Sequence, residues 1–496
     1  MNEFSIDKLK NIGLLGHGGT GKTSLNEAIL FCAKATTRMG VIDDGSTVSD
    51  YTEDEVNRKI SIGLALSHLE WKGSKINLID MPGFADFCTE VYAGLSAADF
   101  ALIVVNGVSG SEVGTSTAWR AASEGNLPRG FFINRMDKEH ADSGKVLEQI
   151  QSEFGDRAVP VTMAIGGGPD YKGVIDILSS KAYTFDKSGK ATETDLPADL
   201  KGEAESYREK IVEAAAEADD ALLEKFFEAG ELTPEELQKG LAKGIADGKI
   251  FPVFAGAAPE NSGMSLFLDF AVEYFPSPDY LEEKIGFKPG TDEIIRRKIS
   301  SDGPVSLYAF KTISEPHVGE LSFFKVYSGI VTPGADMHNV NSDSGERFGQ
   351  IYLMNGKERK EIDAISAGDI GAVVKLKTTH TGHTLSDKKE LIQYEPAKVP
   401  SPIIRMAIEA KTKGDEDKIG SGLARLREED PSIKVEVVSE IKQTILSGQG
   451  ELHLDVIIDR LKRKFGVEVE LDKPRIPYRE SIKSKVEIQG KYKKQS

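Results

Sequence analysis

The chain has 496 residues, of which 39% are hydrophobic and 28% charged, and its formal net charge is −17. This length suits about three domains. The acidic balance argues against nucleic-acid binding by bulk electrostatics, because each phosphate contact needs a Lys or Arg, but it leaves room for a local basic patch. The sequence contains no apolar run long enough to span a membrane.

The two cysteines and the first ten residues indicate in which cellular compartment the protein is expected. Cys32 and Cys88 cannot make a disulfide framework and have no histidine pair nearby. We expect both to be small buried hydrophobes in a reducing compartment. The first ten residues have no apolar signal-peptide centre. The sequence therefore predicts a cytoplasmic protein.

Short apolar runs alternate with amphipathic segments in the first part of the chain. The runs predict buried strands at residues 11–16, 75–80, 101–106, 130–134 and 251–256. Helical patterns lie between them, for example at residues 115–125 and 142–155. Such alternation predicts a doubly wound α/β sheet with ligands at the carboxyl ends of its strands.

Residues 161–249 interrupt this alternation with an acidic, helical segment. We expect a charged helix pair with one buried face, formed by Ile211, Leu222, Leu223, Phe226 and Phe227. Thr233 is predicted to cap a helix, with Glu236 completing a capping box. Because a strand-like run follows at residues 251–256, we interpret the segment as an insertion in the sheet domain.

The composition changes after residue 278. Short runs rich in Val, Ile, Tyr and Phe, separated by glycine turns, predict an antiparallel barrel over residues 304–387, with its aromatic residues in the core. His380 and His383 are expected in a solvated turn. From about residue 400 the pattern is βαββαβ, and both helices have apolar residues at helical spacing. These are Ile419, Leu423 and Leu426 in the first helix, and Leu454, Ile457, Ile458, Leu461 and Phe465 in the second.

A glycine-rich segment follows the first predicted strand and precedes a helix. It contains Gly16, His17, Gly18, Gly19, Thr20, Gly21, Lys22, Thr23 and, directly after the motif, Ser24. Its spacing fits G-x-x-x-x-G-K-[ST], in which backbone N–H groups and a helix N-terminus surround phosphate oxygens. We predict that Lys22 reaches the β- and γ-phosphates and that the Thr23 hydroxyl binds Mg²⁺. The strand and helix on either side argue against a chance glycine-rich turn.

The segment from Asp80 to Gly83 ends another predicted strand. An acid in this place can hold Mg²⁺ through water, and the Gly83 N–H can contact a γ-phosphate. A D-x-x-G segment alone is more often a simple strand-ending turn. The prediction of a phosphate and magnesium contact therefore depends on its position after the glycine-rich loop.

Asn134, Arg135 and Asp137 follow a third strand. The Asp137 carboxylate can accept hydrogen bonds from the N1–H and 2-amino groups of guanine, which adenine cannot offer. In this order the segment fits the N-K-x-D motif of GTPases with Arg for Lys, and Arg can still pack on the base. Ala257 and Ala258, after the last strand, are a weaker candidate for a backbone N–H to guanine O6. We expect GTP or GDP as the ligand, not ATP.

These motifs and several later segments resemble the elongation factor G family. The later segments are residues 345–347, 361–363, 367–370, 428–432, 447–454 and 478–480. The resemblance covers essentially the whole chain. It implies an α/β P-loop GTPase domain with an inserted subdomain, an antiparallel β-barrel and a ferredoxin-like α+β domain. A complete member continues into a fourth and a fifth domain, so we expect this chain to end just inside the fourth.

The resemblance also implies domain limits and partners. We expect a GTP-binding domain at residues 1–285, with the inserted subdomain at about 161–250, a barrel at 286–397, a ferredoxin-like domain at 398–476 and the start of a fourth domain at 477–496. The implied partner is the ribosome, through ribosomal RNA and through stalk proteins facing the insertion. We further expect a monomer that does not enter a membrane.

Three positions depart from the family pattern. Phe84 stands where the family has a histidine that positions the attacking water. Ser61 replaces the threonine of the first switch and keeps a hydroxyl for Mg²⁺. Gly19 replaces an aspartate of the phosphate loop, so no side chain can contact an ion there. These changes indicate a divergent paralogue.

Two functions remain open from the sequence. The first is a ribosome-stimulated GTPase that drives or resets a step such as translocation or ribosome disassembly. The second is a GTP-dependent ribosome-binding factor with little or no hydrolysis, which Phe84 favours. A release-factor or ribosome-protection relative is a further alternative.

Overall fold

The computed structural model describes residues 4–315, 319–412 and 414–494. The chain divides into two compact units, one of residues 1–401 with 426–432 and the other of residues 402–425 with 433–496. Within the described ranges, no helix is both long enough and apolar enough to cross a lipid bilayer.

The first unit begins with an α/β domain built on a seven-stranded sheet of order β2-β3-β1-β4-β5-β11-β6, in which only β2 is antiparallel to its neighbour. Its strands are β1 (Leu9–Leu15), β2 (Ala65–Trp71), β3 (Ser74–Asp80), β4 (Phe100–Asn106), β5 (Arg129–Asn134), β6 (Ala158–Pro160) and β11 (Phe251–Ala255). The helices that accompany them are α1 (Lys22–Cys32), α2 (Glu53–Arg58), α3 (Cys88–Ala97), α4 (Val113–Glu124), α5 (Ser143–Phe154) and α9 (Met264–Tyr274).

The central strands are buried on both faces, which explains why they appear as continuous apolar runs. Leu14 and Leu15 are adjacent in β1 but belong to two different hydrophobic clusters. Leu14 packs in the cluster that includes Leu25 of α1, and Leu15 in the cluster that includes Leu147 of α5. The predicted doubly wound α/β fold is confirmed.

The inserted segment is more than the acidic helix pair that the sequence predicted. It opens with a four-stranded antiparallel sheet, β7 (Thr162–Ile165), β8 (Gly173–Asp176), β9 (Lys181–Phe185) and β10 (Ala191–Thr194). Three helices follow, α6 (Lys201–Glu217), α7 (Asp220–Ala229) and α8 (Pro234–Ala246). The sheet was missed because its strands are only four or five residues long and lack a strong apolar alternation.

Two local predictions in the insertion have different outcomes. The capping box is confirmed, because the Thr233 hydroxyl accepts from the Glu236 N–H and the Glu236 carboxylate accepts from the Thr233 N–H. The proposed buried face is only partly correct. Ile211 and Leu222 are buried, but Phe227 is 77% exposed because the outer side of α7 faces solvent.

The barrel domain follows a hairpin of β12 (Glu283–Phe287) and β13 (Ile294–Lys298). Its main sheet has eight antiparallel strands in the order β18-β17-β23-β14-β15-β22-β19-β20, and β16 pairs with β21. The strands are β14 (Ser306–Glu315), β15 (Gly319–Ser328), β16 (Ile330–Val331), β17 (Asp336–Asn339), β18 (Ser344–Arg347), β19 (Ile351–Asn355), β20 (Glu358–Ile362), β21 (Ile365–Ser366), β22 (Ile370–Val374) and β23 (His383–Ser386).

Side chains in the barrel mostly match expectation. Phe310, Phe324 and Phe348 are buried, as predicted for core aromatics. His380 and His383, predicted in a solvated turn, are half-buried; their rings contact each other, and Asn339 Nδ2 lies 3.1 Å from His383 Nδ1. Outside the barrel, Cys32 of α1 is buried as predicted, and Cys88 of α3 is half-buried.

Buried ion pairs join the barrel to the α/β domain. Lys325 Nζ lies 2.5 Å from Asp99 Oδ1, with both side chains less than a tenth exposed. Lys75 Nζ lies 2.7 Å from Asp369 Oδ2, and Lys75 is 2% exposed. Asn11 donates to Asp99, and Asn77 donates to Asp369, so both carboxylates are also hydrogen-bonded.

The second unit carries the predicted βαββαβ order. The elements are β24 (Ile404–Ala410), α10 (Glu416–Glu429), β25 (Lys434–Val438), β26 (Gln443–Gly448), α11 (Glu451–Phe465) and β27 (Val469–Asp472), with residues 426–429 of α10 belonging to the first unit. The strands form one antiparallel sheet of order β25-β26-β24-β27. Leu454, Ile457 and Leu461 of α11 are buried, as their helical spacing predicted.

Candidate nucleotide-binding site

The predicted motifs meet at one edge of the seven-stranded sheet. The glycine-rich loop follows β1, the Asp80 segment ends β3, and the Asn134 segment ends β5. Strand β11, which precedes Ala257, lies beside β5. Since these strands are parallel, their carboxyl ends lie together, where open α/β sheets bind ligands.

The glycine-rich loop wraps the start of α1. Gly21 is the N-cap with a left-handed φ of 88°, and a Cβ there would lie 2.6 Å from Asn134 Nδ2. Lys22 Nζ donates to the Gly16 carbonyl at 3.0 Å and to the His17 carbonyl at 2.8 Å. Burial lowers the pKa of Lys22 to about 8. A bound phosphate would oppose this shift, because an anion favours the charged ammonium.

Oxygen atoms from three segments converge beside Lys22. Thr23 Oγ1 donates to Asp80 Oδ2 at 2.9 Å and lies 3.1 Å from Ser61 Oγ. Asp80 Oδ1 is buried and has no hydrogen-bond partner in the described part of the chain. Two hydroxyls and a carboxylate form the hard oxygen set that Mg²⁺ prefers. These residues therefore fit a magnesium ion.

Asp50 extends this cluster, and sequence reasoning missed it. Its carboxylate accepts a hydrogen bond from Ser61, and it is 4% exposed. Burial, together with the carboxylates of Asp80 and Glu55, raises the pKa of Asp50 to about 8. Burial likewise raises the pKa of Asp80 to about 6. A cation in the cluster would favour both charged forms. No motif in the sequence distinguished Asp50 from the other acids of its loop.

The segment predicted to recognise the base is anchored through Asn134. Its amide donates to the Thr20 carbonyl at 3.1 Å and accepts from the Ala258 N–H at 3.0 Å. Asp137 Oδ2 pairs with Lys138 at 2.8 Å. Asp137 Oδ1 is buried without a partner among the residues that the structure describes. Such an acceptor suits the two N–H donors on the Watson–Crick edge of guanine.

The contact of a backbone N–H at Ala257 or Ala258 with guanine O6 stays a prediction, and in this structure both N–H groups are bonded within the protein. The Ala257 N–H donates to the Ser262 carbonyl at 3.1 Å, and the Ala258 N–H donates to Asn134 Oδ1. The N–H of Gly256 is also bonded, to the Ile133 carbonyl. Both alanines lie beside the base segment, but their N–H groups are occupied by protein acceptors.

Three family models match consecutive parts of the chain. Residues 7–277 match the elongation factor Tu GTP binding domain. Residues 304–388 match elongation factor G domain 2, and residues 399–473 match elongation factor G domain III. The chain belongs to the elongation factor G family. It is thus a guanine-nucleotide-binding protein of the translation-factor GTPases.

A solved structure supports the same relationship. It is a crystal structure of a Thermus thermophilus protein that is 31% identical in sequence, with a TM-score of 0.86. The match covers 95% of this chain and 68% of that one. It confirms the α/β, barrel and α+β succession that the sequence predicted.

Phe84 is the main departure from the elongation factor G pattern, and its ring lies on the phosphate loop. A Cβ on Gly18 would be 3.3 Å from Phe84 Cε2, so the glycine leaves room for the ring. Phe84 is 41% exposed. Gly19, the second departure, has open space where its Cβ would be. The phenyl ring thus covers the loop at the place where the family histidine is expected.

Two buried glutamates hold the loop that carries Asp50 and Ser61. Glu27 of α1 accepts from the N–H groups of Gly40 and Val48 at 3.0 and 2.7 Å. Glu55 of α2 accepts from the N–H groups of Ile62 and Gly63 at 3.1 and 3.0 Å. Sequence reasoning missed both, since a single glutamate in an amphipathic helix usually indicates a solvated face.

Proposed function

We propose that this member of the elongation factor G family binds GTP with Mg²⁺ and hydrolyses it on the ribosome, in translocation or ribosome disassembly. The unpartnered, buried Asp137 Oδ1 beside a glycine-rich phosphate loop is the observation that carries the proposal. It provides an acceptor for guanine at the sheet edge where the phosphate loop and the oxygen cluster also lie.

Each site residue has a proposed role. The N–H groups of residues 16–24 and the ammonium of Lys22 surround the phosphates. Thr23, Ser61 and Asp80 hold Mg²⁺, which neutralises phosphate charge when it is bound. Asp137 selects guanine, and Arg135 packs its stem on the base. The domain division at about residues 285, 397 and 476 is part of the same proposal.

A second function stays in competition because of Phe84. A phenyl ring can neither orient nor deprotonate water, so the chain could bind the ribosome with GTP and turn over slowly. This alternative is a GTP-dependent ribosome-binding factor.

Nucleotide titration and single-turnover hydrolysis test these proposals. We expect GTP and GDP to compete for one site, ATP not to compete, and removal of Mg²⁺ to weaken GTP more than GDP. Equal affinity for ATP and GTP would contradict the guanine assignment. Hydrolysis measured with and without saturating ribosomes then separates the candidates, since only the GTPase is accelerated by ribosomes.

A further inference from the structure

A cluster of charged side chains outside the nucleotide site joins the barrel to the end of the Ser61 loop. Lys311 of β14 places its Nζ 2.6 Å from Glu90 Oε2 of α3 and 3.1 Å from the Leu64 carbonyl. The same Glu90 oxygen accepts from the Leu64 N–H at 2.6 Å. Lys311 and Glu90 thus bond both backbone polar groups of Leu64, the N–H and the carbonyl, three positions after Ser61.

The cluster is sheltered and closely packed. The side chains of Lys311 and Glu90 are 10% and 20% exposed. A Cβ on Gly63 would lie 2.9 Å from Lys311 Nζ, so the glycine leaves room for the ammonium beside the backbone. Since Glu55 accepts from the N–H groups of Ile62 and Gly63, the backbone of residues 62–64 is fixed from α2, α3 and β14 together.

This backbone segment carries Ser61 toward the oxygen cluster. Ser61 Oγ lies 3.1 Å from Thr23 Oγ1, which is bonded to Asp80. In GTPases the γ-phosphate and its Mg²⁺ order a switch loop that is released after hydrolysis. A group that holds the loop in the ordered arrangement lowers the entropic cost of binding GTP and changes GDP binding much less.

We infer that Lys311 is a positioning residue for the triphosphate. Through Lys311, the barrel stabilises the loop arrangement that GTP requires. The inference rests on the proposed function, because it assumes that GTP and Mg²⁺ bind at Ser61. By linkage, GTP must in turn strengthen the attachment of the barrel at Lys311 by the same factor.

Lys311→Met tests the inference, and Lys325→Met is its matched control. Both remove a buried lysine of the barrel that is paired with a carboxylate of the α/β domain. Asp99, the partner of Lys325, precedes β4 and so lies at the sheet edge opposite to the nucleotide motifs. The affinities of a fluorescent non-hydrolysable GTP analogue and of fluorescent GDP are measured at saturating Mg²⁺.

We expect Lys311→Met to weaken the GTP analogue about tenfold relative to GDP. Lys325→Met should leave the ratio of the two affinities unchanged. A ratio unchanged in Lys311→Met, or shifted equally in both variants, overturns the inference. A wild-type chain that does not bind the GTP analogue would instead contradict the proposed function.

Two further variants keep the test decisive if Lys311→Met fails to fold. Gly63→Ala retains every charge but inserts a methyl group against Lys311 Nζ, and it should shift the affinity ratio in the same direction. Glu90→Gln should likewise weaken the GTP analogue relative to GDP. Where Lys311→Met does fold, its effect and that of Glu90→Gln should be non-additive, because the two residues share one contact. Additive effects, or a Gly63→Ala ratio equal to that of the wild type, count against the inference.

Discussion

At the scale of single residues, Asp137 determines the expected choice of base. Asp137→Asn should weaken GTP binding about tenfold or more, because hydrogen bonds to a charged acceptor contribute about 1.5–3 kcal/mol. It should improve binding of xanthosine triphosphate, which offers an acceptor where guanine has its amino group. Competition titration measures both effects. Glu139→Gln removes a carboxylate from an exposed position nearby and should change neither affinity.

Phe84 is the residue on which the two candidate functions divide. Phe84→His should raise ribosome-stimulated hydrolysis by about tenfold or more, since a positioned acid–base group contributes about 10²–10⁴-fold. Affinity for GTP should change little, because the ring lies on Gly18 and not among the oxygen cluster. Single-turnover rates at saturating ribosomes give the comparison.

Phe84→Leu is the control for ring removal without an imidazole. It should hydrolyse GTP at the wild-type rate. If the native chain is already as fast as the histidine variant, Phe84 is no catalytic lesion and the slow-turnover alternative is wrong.

At the scale of elements, His68 of β2 makes the junction between sheet and barrel sensitive to pH. Its Nδ1 lies 2.9 Å from the Met354 carbonyl of β19. Burial lowers the pKa of His68, with Lys75 and Lys360 acting in the same direction and Asp369 against it. The unfolded chain therefore binds a proton at His68 more tightly than the folded chain does. The contribution of neutral His68 to the free energy of unfolding is fully present above the unfolded pKa of about 6.5 and is lost as the pH falls below that value.

His68→Gln should therefore flatten part of the pH dependence of stability. Glutamine keeps a donor for the Met354 carbonyl but does not titrate. We expect the free energy of unfolding, from urea titrations at pH 7 and pH 5, to fall less in the variant than in the wild type. If the free energy of unfolding falls by the same amount in both proteins between pH 7 and pH 5, His68 does not take up a proton on unfolding.

Elements with strong local signals were predictable from the sequence, and short elements without such a signal were not. Strands β1, β3, β4, β5 and β11 could be predicted because they are buried and each is rich in apolar residues. Strands β7–β10 have only four or five residues each, which is too few for a clear periodic pattern, and they pair with each other.

The candidate site divides in the same way. Lys22, Thr23 and Asp137 could be proposed as site residues from spacing alone, because each belongs to a contiguous motif, and the structure places their segments at one edge of the sheet. Lys311 could not, because its partner Glu90 is far away in the chain. Asp50 and Glu55 could not either, because they bond nearby residues of a loop that carries no recognisable motif.

At the scale of the whole first unit, buried ion pairs make the barrel and the α/β domain interdependent. Lys325→Met leaves the Asp99 carboxylate buried without its cation. We expect a loss of about 3–5 kcal/mol in the free energy of unfolding, since breaking a buried pair strands a charge. Thermal or urea unfolding measures it, and Lys325→Met/Asp99→Asn should recover part of the loss. A loss under about 1 kcal/mol, the range of exposed pairs, would show that the pair is not sheltered as described.

The place of β11 also sets an order of assembly during synthesis. This strand lies between β5 and β6, yet the whole insertion separates it from both in the chain. A nascent chain that has emerged only as far as α8 has the glycine-rich loop but an open gap in its sheet. Asn134 then lacks the Ala258 N–H that it bonds in the finished fold. Nucleotide can therefore stabilise the nascent domain fully only after about residue 258 has been made, as long-range strand pairing folds late.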